Sequence, residues 1–65
     1  MRCEIRVEGE LTRALSEAFP ELDSCVVSDE TVLFGRVTDE AQLYGLLVRC
    51  RSLGLRVLEM RRLPE

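Results

Sequence analysis

Two spacings of apolar residues take turns along this chain. Cys3, Ile5 and Val7 interleave with Arg2, Glu4, Arg6 and Glu8, a period of two that marks a strand with one buried and one wet face. Gly9 interrupts it. From Glu10 to Phe19 the apolar positions become Leu11, Ala14, Leu15 and Ala18, at i, i+3, i+4 and i+7, which is one stripe of a helix. Glu10 complements the dipole at the start of that helix, and Pro20 ends it around Ala18 or Phe19. Leu22 to Ser28, centred on Cys25, Val26 and Val27, predicts a short second strand, and Asp29-Glu30 a tight hairpin. Thr31 to Val37 predicts a third strand. Leu33, Gly35 and Val37 are assigned to its covered face, with Gly35 leaving room for a helix side chain. Val32 and Phe34 then project from the open face.

Thr38 or Asp39 caps a second helix, and Asp39 with Gln42 fits a capping box. Leu43, Leu46, Leu47, Cys50 and Leu53 form the strongest helical stripe, closed by Gly54 as a C′ glycine followed by Leu55. The last strand runs from Leu55 or Arg56 to about Leu63, with Leu58 and Met60 inward and Val57, Glu59 and Arg61 outward. The expected fold is one α+β domain over residues 1–65. Its element order is βαββαβ, with a four-stranded antiparallel sheet in the order 4-1-3-2 and two helices on one face.

That order resembles the ferredoxin-like superfamily over nearly the whole length. The segment from Thr31 to Asp39 (TVLFGRVTD), followed by Leu43 to Leu55, is similar to a group of small bacterial proteins that brings no activity with it. Val7-Glu8-Gly9-Glu10-Leu11 resembles the first loop of ACT-type regulatory domains, which commonly bears Gly followed by an apolar residue. That likeness implies a small metabolite held at Gly9, Glu10 and Leu11.

Composition removes most other functions. The net charge is −3, which argues against a general nucleic-acid binder. The predicted first strand has no aromatic residue and the third only Phe34, too few to stack bases as RNA-recognition domains do. The charge is uneven: residues 1–48 hold four Arg and ten acids, whereas 49–62 hold Arg49, Arg51, Arg56, Arg61 and Arg62 against Glu59 alone. This leaves a candidate patch for an anion or an acidic partner near the carboxyl end. Cys3, Cys25 and Cys50 form no C-x-x-C pair and no disulfide framework, so neither metal nor cofactor is expected. All three read as reduced, semi-buried hydrophobes of a cytoplasmic protein; Cys25 is the least settled, because it competes with Val26 for the inward direction. No apolar run approaches the length needed to span a membrane.

No catalytic constellation is visible. His is absent, no serine sits in a nucleophile elbow, and Glu4 and Glu8 have Arg6 between them. The expectation is a non-enzymatic interaction or regulatory module that pairs with itself or with a protein partner through its sheet face or an edge strand. Val32, Phe34 and Val57 would make the contact, rimmed by Arg6, Arg36, Glu59 and Arg61. The alternative is the ACT-like metabolite sensor at Gly9, Glu10 and Leu11.

Overall fold

The computed structural model describes residues 1–64. The chain runs β1 (Arg2–Glu8), α1 (Arg13–Glu17), β2 (Asp23–Val27), β3 (Glu30–Arg36), α2 (Glu40–Ser52) and β4 (Val57–Leu63). The strands form one antiparallel sheet in the order β2-β3-β1-β4, which is 4-1-3-2 counted from the other edge.

The core is built on β1. Cys3, Ile5 and Val7 are wholly buried. Pairing sets Gly35, Leu33 and Thr31 of β3 beside them, and Met60 of β4 opposite Ile5. Phe19, Val37, Leu43, Leu46 and Cys50 pack against this face.

Helix α2 follows its sequence signals closely. The Asp39 side chain accepts from Gln42 N–H at 2.9 Å. The Gln42 side chain reaches back to Thr38, accepting from its N–H at 2.7 Å and its hydroxyl at 3.0 Å. The capping exchange is therefore shifted one residue outward from the usual box. At the other end, Gly54 (φ +76°) turns the chain while its N–H donates to Arg51 O and the Leu55 N–H to Cys50 O, a Schellman closure.

Helix α1 is much shorter than its apolar stripe predicts. The Leu11 N–H is taken by Thr31 Oγ1 at 3.1 Å, and Thr12 caps the helix by accepting from Leu15 N–H at 3.2 Å. Helical hydrogen bonding therefore starts at Arg13, leaving Glu10 and Leu11 outside. None of the five residues of α1 is buried. Phe19, just past its end, fills the core in its place. The space at Gly35 is occupied by Leu22 from the α1–β2 connection rather than by a helix residue. A Cβ built on Gly35 would lie 3.2 Å from Leu22 Cδ2 and 3.4 Å from the Glu21 carbonyl oxygen.

The hairpin between β2 and β3 turns at Ser28-Asp29, one residue earlier than expected. Both residues have positive φ, +46° and +60°. That is the left-handed pair of a type I′ turn, which matches strand twist but suits Asn-Gly best. The double variant Ser28→Asn, Asp29→Gly should therefore raise stability by about 1 kcal/mol. For a domain of this size that is a rise of about 4–8 °C in the thermal midpoint; an unchanged or lower midpoint contradicts the turn assignment.

Candidate interaction surface

The face of the sheet away from the core carries mostly charge. Arg61 lies 3.5 Å from Glu4, Glu4 lies 3.4 Å from Arg6, and Arg6 lies 3.6 Å from Glu30, so alternating charges cross β4, β1 and β3. Glu4, between two Arg, has a side chain only 15% exposed. Arg6 Nε is buried and too far from Glu30 for a hydrogen bond.

This arrangement changes the apolar patch expected on that face. Val32 is 8% exposed rather than projecting into water. Its cross-strand neighbours are Arg6 on β1 and Cys25 on β2, and the ion-paired Arg6 lies along one side of it. Phe34 does lie on the open face, between Glu4 and Asp23, but it is half-buried. Val57 departs in another way. The register of β1 with β4 slips between Arg6 and Val7, so Glu59 pairs with Arg6 while Val57 pairs with Val7. Leu58 is the extra residue of a bulge. Paired residues share a face, so Val57 is set in line with the covered side, away from Glu59 and Arg61. Arg36, Glu59 and Arg61 are exposed.

The loop at Gly9, Glu10 and Leu11 is tied to β3. Buried Thr31 donates from its hydroxyl to Gly9 O at 2.8 Å and accepts from Leu11 N–H, while Gly9 N–H donates to Asp29 O at 2.8 Å. Two N–H groups that an anion would need are thus already engaged within the chain.

The basic carboxyl-terminal stretch is also largely paired within the chain. Arg49 makes a two-pronged contact with Glu21 at 2.8 and 2.9 Å, donates to Ala18 O at 3.0 Å, and stands 5.5 Å from the centroid of the Phe19 ring. The guanidinium holds the Glu21 carboxyl below its ordinary range. Arg56 pairs with Glu8, Arg61 with Glu4 and Arg62 with Glu40. The imbalance along the sequence is largely cancelled in space, and the candidate anion patch becomes a set of internal bridges.

The two edges of the sheet remain, and they differ. Edge strand β4 carries Glu59, Arg61 and Arg62 together with the bulge, devices that discourage pairing with another strand. Edge strand β2 has no bulge and a single charge, Asp23, at its first residue. Its sequence Ser24-Cys25-Val26-Val27 is uncharged, and every residue of the strand is exposed, Val26 and Val27 at 51% each. Val26 faces the helix side, opposite Thr31, but α1 is too short to cover it. Cys25 faces the open side and is exposed, not semi-buried as expected. Cys3 and Cys50 lie in the core, where burial pushes both thiols up from their ordinary value. Uncharged composition and edge position were readable for β2; the missing cover was not.

A family model described as Domain of unknown function (DUF8691) matches residues 2–61, and the chain belongs to that family. The description names neither a ferredoxin-like nor an ACT family. No curated protein and no solved structure matches the chain. Among the described residues, no helix is long and apolar enough to cross a membrane.

Thr31→Val should cost about 2 kcal/mol, because it leaves Gly9 O and Leu11 N–H without their partner. Denaturant unfolding checks this, and a loss near zero contradicts the tie. The Glu21 carboxylate has a lowered pKa when folded, so its stabilisation is present above the unfolded value, about 4.5, and is lost as pH falls through the folded one. Glu21→Gln should lower stability at pH 7 by at most about 1 kcal/mol, the pair being partly exposed. The gap from the parent protein should close as pH falls below 4.5; a gap that persists in acid rules out the ionic origin.

Proposed function

We propose that this family member is a non-enzymatic interaction module, with a fold of the ferredoxin-like kind, that self-associates through its sheet in the cytoplasm. The order of elements and the sheet order β2-β3-β1-β4 support the fold. The reading of function rests on the contrast between the two edges, one guarded and one bare.

An open edge presents a row of backbone donors and acceptors that a further strand can satisfy. On β2 the strand's charge, Asp23, stands at its first residue; none interrupts Ser24 to Val27, and two valines stand beside the row half in water. The broad open face is a poorer candidate. Its charges already pair with one another, and Val32 is withdrawn from contact. The docking element is therefore the β2 edge, with Phe34 and Val27 flanking it on the open side.

Light scattering across a concentration series tests this. The parent mass should rise toward two chains. Val26→Pro removes one N–H from the outer row, a change edge strands tolerate, and Val26→Lys places a charge there. Both variants should stay monomeric with an unchanged circular dichroism spectrum. A parent protein that remains one chain at the highest concentration overturns the reading.

A further inference from the structure

The β2 edge also specifies how a second copy would meet it, and this inference rests on the self-association just proposed. The two-residue turn makes Val27 and Glu30 the flanking pair that exchanges backbone hydrogen bonds. Alternation then turns Cys25 and Asp23 toward β3 and points the N–H and C=O of Ser24 and Val26 outward. Two identical edges related by a two-fold axis can only pair antiparallel.

Charge and hydrogen bonding choose the register. Centring the axis on Val26 would bring Asp23 level with the partner's Asp29, a like charge in the partner's turn. It would also place Ser24 against the partner's Ser28, which sits in the turn at φ +46°. Centring on Cys25 instead pairs Ser24 with the partner's Val26, and Val26 with the partner's Ser24. All the outward groups of both residues then find partners, and Asp23 falls opposite an apolar valine. On the open face, Val32 and Cys25 of each copy form one continuous apolar row.

We infer that two copies join β2 to β2, antiparallel about a two-fold axis at Cys25, into a single eight-stranded sheet. The assembly stops there. Each β2 edge is consumed by the other, and the edges left outermost are both β4, with its bulge and charges.

This register places Cys25 and the partner's Cys25 at a non-hydrogen-bonded position, where facing Cα atoms are about 4.5 Å apart. That is within the reach of a disulfide. Brief treatment with diamide therefore reads the register directly; the reagent takes up two electrons and the two thiol protons as the S–S bond forms. The parent protein should cross-link through Cys25 alone, since Cys3 and Cys50 are buried. Val26→Pro should cross-link at least tenfold more slowly. Cys25→Ser should give no covalent dimer while keeping its two-chain mass by light scattering. A parent dimer that does not cross-link at Cys25 overturns the register but leaves self-association standing. A mass beyond two chains overturns the closure, and a monomer at every concentration overturns both readings.

Discussion

Four strands need cover, and this chain supplies little more than one helix to give it. The outer strand axes of a four-stranded sheet lie about 14 Å apart, whereas a packed helix covers about 10 Å. Helix α2, thirteen residues long, puts Leu43, Leu46 and Cys50 against the core. Helix α1 is a little over one turn and has no fully buried residue. The other half of the core is closed by parts that are not helical: Phe19 beyond the end of α1, and Leu22 lodged where Gly35 has no side chain. Cover runs out before β2, and the exposure of Val26 follows from that shortage.

The charges serve the same economy. Arg49 reaches from α2 to Ala18 O, Glu21 and Phe19, holding the α1–β2 connection over the core where a longer helix would otherwise lie. Arg56, Arg61 and Arg62 bind the last part of the chain to Glu8, Glu4 and Glu40. Each exposed pair contributes little alone. Together they balance charge on both sides of the sheet and arm the β4 edge, whereas β2 carries no charge between Ser24 and Val27.

Much of this was legible in the residues. The alternation in β1 and the stripe of α2 are strong periodic signals, and Asp39 and Gly54 mark the ends of α2 by known chemistry. The strand order follows from the order of elements and crossover handedness. What failed depended on distant partners. Thr31, twenty residues away, ties Leu11 down ahead of α1, although Thr12 was a readable cap. The burial of Val32 needs the pairing of β3 with Arg6, and the displacement of Val57 needs a bulge that alternation conceals. Ser28-Asp29 lacks the glycine that announces a type I′ turn. The candidate surface moved for these reasons from the open face to its edge.

On the proposed pairing, the outer row of β2 is unsatisfied in one chain and filled by another. Amide hydrogen exchange, resolved residue by residue by NMR, tests it most directly. In dilute solution Ser24 and Val26 should exchange quickly while Cys25, bonded to β3, is protected; at high concentration Ser24 and Val26 should become protected as well. Protection of Ser24 and Val26 in the dilute monomer, or fast exchange at every concentration, would contradict the account.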